Sequence, residues 1–322
     1  MLLLLTQLLY VIPSVLLYLV TIIIITSLWT NLNSSFFHFY IFDFTVNTFT
    51  LLNTFFVLRL PTNTCEEDCF LSPIFRNLDT YINSSPFYAA QYHMAYVQYS
   101  STLIASINRF TVIRDFSYFE SFWKRYSILF MLFILFLPIP HSIWVMSFGT
   151  EWQFQKEQTR YILHSEVPLS TVSYAILPFL IVTTLIALVL NSVSIVKVSR
   201  IGSQRRKLVE TNFLKLTVIT CFIQVLGTIQ TMIITLAPRP SIFYPTIMYI
   251  VPFVSDLLTL CHPWLLVWLS KPIRDSILGL FTPSRRLHKC LVCWFRISID
   301  KRTINTSFHP DRPCHCVNFV FF

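Results

Sequence analysis

Residues Tyr96–Arg114 read YVQYSSTLIASINRFTVIR. A largely apolar run ends on Asn108-Arg109, and a charge there is costly if the run is buried. Counting back from Arg109 by helical steps of three and four gives Ala105, Thr102, Gln98, Ala95 and Gln91. That stripe is small or polar throughout, while Leu103, Ile104, Ile107 and Phe110 lie off it. In a membrane, small and polar faces meet other helices or a cavity. The segment therefore reads as a central helix with Arg109 at the inner end of its buried face. A second reading makes Arg109 an interfacial anchor with its charge in water. This segment alone does not separate the two.

The rest of the chain says that there is a membrane. Of 322 residues, 54% are hydrophobic and 12% charged, against about 25% charged in a soluble domain. The excess falls in blocks of roughly twenty residues, long enough to cross a hydrocarbon core as a helix. Seven blocks run approximately over Leu8–Leu28, Phe36–Leu58, Phe87–Phe110, Ser127–Ser147, Leu169–Val196, Phe213–Leu236 and Tyr244–Leu269. The first reads as a retained span: no Lys or Arg precedes it and its apolar run is too long for a signal peptide. The fold expected is an all-α membrane protein, a seven-helix transmembrane bundle over residues 1–281 with a short amphipathic helix after the last span. A basic, poorly ordered tail is expected over residues 282–322.

Charge sets the orientation. Arg109, Arg114, Lys124, Arg125, Lys197, Arg200, Arg205, Arg206 and Lys207 fall on one side together with the basic tail. The other side holds Arg59, Arg76, Lys156, Arg160 and Arg239. Positive charge concentrates on the cytoplasmic side, so the N-terminus is expected outside and the C-terminus inside. The net charge of +9 is then a topology signal and not the basic patch of a nucleic-acid binder. Asn83-Ser84-Ser85 matches a glycosylation acceptor and falls on the outer side. Asn33-Ser34-Ser35 and Asn305-Thr306-Ser307 match too, but on the inner side.

Several polar residues lie deep in the spans, where they are expensive and face protein or water. Asp43 and Asn47 stand one turn apart in the second span and Asp256 near the middle of the seventh. They are expected to form an internal polar network, with Arg109 or with water, as a switch or as a static register. A small-molecule pocket wants aromatic walls and a few polar groups. Tyr96, Gln98, Tyr99, His141 and Tyr249 are the ligand-binding candidates on that ground. Tyr and Trp nearest the surface read instead as an interfacial belt.

Catalytic chemistry finds little footing. Four glycines, Gly149, Gly202, Gly227 and Gly279, are too far apart for a phosphate loop or a dinucleotide fingerprint. Neither HExxH nor GxSxG occurs, so no enzyme and no cofactor is expected. His93, His141 and His262 sit on three different spans and do not make a metal site. Cys65 and Cys69 are either bridged or free. Cys290, Cys293, Cys314 and Cys316 make an irregular zinc pattern, and S-acylation of Cys290 or Cys293 beside the membrane is favoured over it.

Four places together carry a resemblance. They are SINRFT at Ser106–Thr111, VSDLLTL at Val254–Leu260 leading to Pro263, Lys271–Arg274, and the Phe-rich second span with Asp43 and Asn47. Over roughly Pro13 to Leu278 the chain resembles the nematode chemoreceptors called serpentine receptor class gamma. The resemblance implies a seven-helix receptor in the plasma membrane of sensory cells, with an unknown small-molecule ligand and a heterotrimeric G protein as partner. It places Asn108-Arg109 at the G-protein face. Asn108 departs from the acid usual there, which leaves Arg109 without a local ion pair. The cysteines that usually tie the third span to the second outer loop are also missing. A small-solute transporter or channel subunit, and a structural multi-pass protein without signalling, are the alternative functions. No repeat between the two halves supports the transporter.

Overall fold

The computed structural model describes residues 2–32, 34–65, 69–156, 159–201, 204–236 and 243–281. The tail 282–322, with its cysteines and Asn305, lies outside them, as do Asn33 and the acidic Glu66, Glu67 and Asp68. The chain forms two compact units, Met1–Ser270 and Lys271–Phe322.

In the first unit the apolar blocks are helices. α1 (Leu2–Ser27) leads through a short α2 (Trp29–Leu32) to α3 (Ser35–Thr54). α3 continues as a π-helical turn (Phe55–Arg59) and a 3-10 turn (Leu60–Asn63). α4 (Ser72–Tyr81) lies outside the blocks, and α5 (Ser85–Arg114) is the third block. α6 (Phe116–Phe136) and α7 (Ile139–Met146) together make the fourth, broken at Pro138 and Pro140. α8 (Leu169–Val198), α9 (Gln204–Leu236) and α10 (Phe243–Leu269) complete the bundle. Asp115 caps α6 by accepting from the Tyr118 N–H at 3.2 Å.

Six of the seven spans are long and apolar enough to cross a bilayer unaided. α5 is the seventh, and its composition is too polar for that test. The reason is its position. α5 packs against α3, α6, α7, α8 and α9, and no residue from 87 to 113 is exposed. Its serines and threonines meet protein, while apolar side chains that face outward belong to its neighbours: Ile128, Val189 and Phe222 are exposed. Apolar contact alone does not hold helices together in lipid, so packing and interhelical hydrogen bonds do. Asn191 donates to Ser106 at 3.1 Å and accepts from Thr217 at 3.3 Å, joining α5, α8 and α9. Trp264 donates to Ser14 at 2.9 Å and Trp123 to Thr111 at 2.8 Å. Such bonds contribute about 0.6 kcal/mol each in membranes.

One element departs from the all-α expectation. β1 (Thr150–Gln155) and β2 (Arg160–Ser165) pair antiparallel, with Trp152 opposite Leu163 and Phe154 opposite Tyr161. Alternating aromatics favour a pleated strand, and they bury Trp152 and Tyr161 in a cluster with Val57, Phe75 and Leu78. Asp79 of α4 accepts from the Trp152 N–H at 2.6 Å, and Ser84 accepts from its indole at 2.9 Å. Cys65 and Cys69 are bridged, with Cα atoms 5.4 Å apart. Hairpin, α4 and bridge mark one end of the bundle, here the hairpin end; Arg109 marks the other.

The second unit begins with α11 (Lys271–Phe281). In α11 Lys271 and Asp275 are exposed while Ile273 and Ile277 are buried, as the amphipathic pattern expects of its two faces. The side chains of Leu280 and Phe281 lie outside the described residues.

Candidate functional site

At the Arg109 end, four helices meet on one chain of hydrogen bonds. α3 begins at Ser35, so its first N–H groups have no partner inside the helix. The Glu120 carboxylate of α6 supplies one, accepting from the Ser35 N–H at 2.8 Å and from the Ser35 hydroxyl at 2.7 Å. The same hydroxyl accepts from the Asn108 side-chain amide at 3.0 Å. The Asn108 oxygen in turn accepts from Arg109 Nε at 2.8 Å and from Arg109 Nη2. Every donor in this chain points the same way, from the guanidinium to the carboxylate. Aligned dipoles between opposite charges strengthen one another.

The remaining nitrogen of Arg109 reaches α9. Nη1 stands 3.4 Å from Glu210 Oε2, and both side chains are buried. The guanidinium lies 5.5 Å from the Phe36 ring centre and 5.4 Å from that of Phe213, the two rings stacked at 4.2 Å. Arg109 itself is 2% exposed, which removes the interfacial-anchor reading. Asn108 accepts from the near side of the guanidinium, and Glu210 supplies the buried counter-charge.

Behind this chain is a cavity of about 20 Å³, room for one water. Asp43, Thr102, Asn108, Arg109, Thr217 and His262 are on its walls. Asp43 also accepts from Ser101 of α5. Asn47 accepts from Gln98 at 2.8 Å and donates to Tyr18 at 3.2 Å and to His262 Nδ1 at 3.4 Å. Asp256 does not join this network. Its carboxylate accepts from Tyr10 and from Arg59, which stands at the end of the π-helical turn.

The described ligand candidates lie on two faces of α5 and on α7. Tyr96 packs on His141 at 5.2 Å and on Phe179 at 4.7 Å. Tyr99 faces α9 instead, donating to the Gln224 carbonyl at 3.0 Å. Gln98 turns toward Asn47, and the Tyr249 side chain lies outside the described residues. Helical spacing sets Gln98 apart from Tyr96 and Tyr99, and those two share a cluster with Ile176 and Leu180. Asn83 is exposed, with its side-chain oxygen accepting from the Ser85 N–H at 3.0 Å. Among the described residues, no group of three or more His, Cys, Asp or Glu gathers as a metal site.

The family model described as Srg family chemoreceptor matches residues 4–277. The chain belongs to that family. Serpentine receptor class gamma-31 of Caenorhabditis elegans is 27% identical over 288 residues, which cover 87% of this chain and 92% of that protein. Family membership makes this chain a multi-pass, chemoreceptor-like serpentine receptor, in line with its helical bundle.

Three buried polar residues carry no clear signal in the sequence: Arg59, Glu120 and Glu210. Arg59 was counted among loop charges, yet it is 0% exposed. Glu120 and Glu210 lie in basic surroundings, beside Lys124 and after Arg205-Arg206-Lys207, which mask them in the sequence. An acid in a stretch whose charge otherwise serves topology was the available signal.

Proposed function

We propose that this protein is a chemosensory receptor. A small-molecule cue binds among the hairpin ends of its helices, and a heterotrimeric G protein couples at the Arg109 end. The hairpin end then faces outside, in the plasma membrane of a sensory cell. The observation that carries the reading is the Arg109–Glu210 pair between α5 and α9, with both side chains buried. A pair joining two helices is a two-state element: intact, it holds them together, and broken, it opens a groove for a partner. The Asn47 bonds to Gln98 and His262 and the cavity behind Arg109 lie between that latch and the hairpin end. A ligand that favours the open arrangement shifts the population by its difference in affinity for the two states.

The experiment is a G-protein activation assay in a heterologous cell, with surface level measured for each variant and soluble and volatile cue mixtures applied. Wild type is expected to respond and Arg109→Ala to lose the response at equal surface level. Equal responses from both would remove Arg109 from coupling. A wild type that gives neither basal nor cue-driven exchange with any G-protein class would sink the coupling itself.

A further inference from the structure

Buried polar atoms are nearly always paired; at the Arg109 end Asn108, Arg109, Ser35 and Glu120 all bond within one chain, and Ser34 Oγ beside them is unpaired. The hairpin end differs. Seven of the ten unpaired buried side-chain atoms among the described residues belong to Gln7, Asn53, Arg59, Gln91, His141 and Gln230. All six residues stand toward the hairpin ends of their helices or on the turn that follows α3.

Arg59 has the clearest claim among them, because the donor character of a guanidinium does not depend on which way an amide is turned. It is fully buried, Nη2 bonds Asp256, and Nε and Nη1 have no partner. An arginine at a helix end ordinarily extends its charge to water. Here α3 widens into a π-helical turn over Phe55–Arg59, a distortion frequent at functional sites, and the turn ends on an arginine that faces inward. The guanidinium lies 5.8 Å from the Phe55 ring centre, and Tyr10, which also bonds Asp256, packs on Phe253 at 6.5 Å. The surroundings are aromatic, with two strong donors left over.

Charge narrows what those donors suit. Asp256 already neutralises Arg59, so an anionic ligand would leave a net negative charge buried, which is expensive. A cationic ligand would stand against the guanidinium. An uncharged oxygen acceptor adds no net charge and uses the donors. We infer that Arg59 binds the carbonyl-type oxygen of an uncharged, partly apolar small molecule, a ketone, ester, lactone or amide. The inference rests on the small-molecule reading above and adds the ligand's chemistry and its anchor.

The test uses the full-length protein in lipid nanodiscs as wild type, Asp256→Asn, and the double variant Arg59→Met/Asp256→Leu. The double variant replaces the whole buried pair with apolar groups, which is better tolerated than removing one partner. Each is dialysed to equilibrium against medium-chain ketones, esters, lactones and amides, with the acids, amines and hydrocarbons of the same skeletons, and retention is read by mass spectrometry. Wild type should retain neutral carbonyl compounds. The double variant should bind them roughly ten- to hundred-fold more weakly, the worth of a hydrogen bond to a charged donor. Asp256→Asn, which leaves the Arg59 charge uncompensated, should gain the matching carboxylic acids. That change of preference tests the inference even if the double variant fails to fold. Retention by wild type of acids, amines or hydrocarbons alone, or unchanged retention in the variants, overturns the inference and leaves a small-molecule receptor. No retention of any class by folded wild type overturns both.

Discussion

Arg109 of α5 and Glu210 of α9 stand 3.4 Å apart, with side chains 3% and 4% exposed. They lie 101 positions apart in the chain, so the pair reports on how two helices sit together. Glu210→Gln keeps the shape and removes the charge. Losing about 1–2 kcal/mol from the closed arrangement raises an open minor state roughly ten-fold. Basal G-protein exchange should rise accordingly at equal surface level, while Arg109→Ala should lower it. Unchanged basal exchange in Glu210→Gln would make the pair a static brace.

Glu120 satisfies the first N–H of α3 and ends the hydrogen-bond chain from Arg109. Glu120→Ala should cost about 1–3 kcal/mol, the penalty of unpaired buried polar groups, seen as a lower melting temperature in detergent. Lys124, 3.8 Å from Glu120 but 38% exposed, is the control. Lys124→Ala should change stability by less than about 1 kcal/mol.

A Cβ on Gly227 would stand 2.6 Å from the Tyr99 hydroxyl. That hydroxyl is held by the Gln224 carbonyl at 3.0 Å and by Thr228 at 3.4 Å, so it cannot step aside freely. Gly227→Ala should destabilise by about 1–3 kcal/mol through overpacking. Adding Tyr99→Phe removes the clashing atom and should recover part of the loss in the same melting assay.

The orientation is open to a direct chemical test. Asn83 is exposed at the hairpin end, and a glycan forms only on the lumenal side. Wild type should show a glycosidase-sensitive mass shift that Asn83→Gln abolishes. A glycan on an acceptor engineered at residues 199–203, with none at Asn83, would invert the bundle.

What could be read ahead of the structure was what depends on neighbours in sequence. Span lengths follow from local hydropathy, and the stripe Gln91–Ala105 marked α5 as central because helical spacing is local. Pairing across the bundle is not. Arg59 and Asp256 are 197 positions apart, and counting charges by loop treats every arginine as solvated. Asp256 was expected beside Asp43 and Asn47, but its partners came from α1 and the π-helical turn. The hairpin was missed for another reason: the alternation of Trp152 and Phe154 spans only a few residues in a loop judged by its charge.

A helix whose serines, amides and arginine suit only the company of other helices is poorly suited to entering lipid alone. α5 carries Gln91, Gln98, Asn108 and Arg109 along its length, and polar side chains near a span's centre oppose insertion. α5 is better suited to enter lipid alongside α3 or α6, against which it packs. Biogenesis of this receptor is therefore a partnership between successive segments. A substitution at the α3–α5 or α5–α6 contact can halt the newborn chain before any signalling defect could be seen.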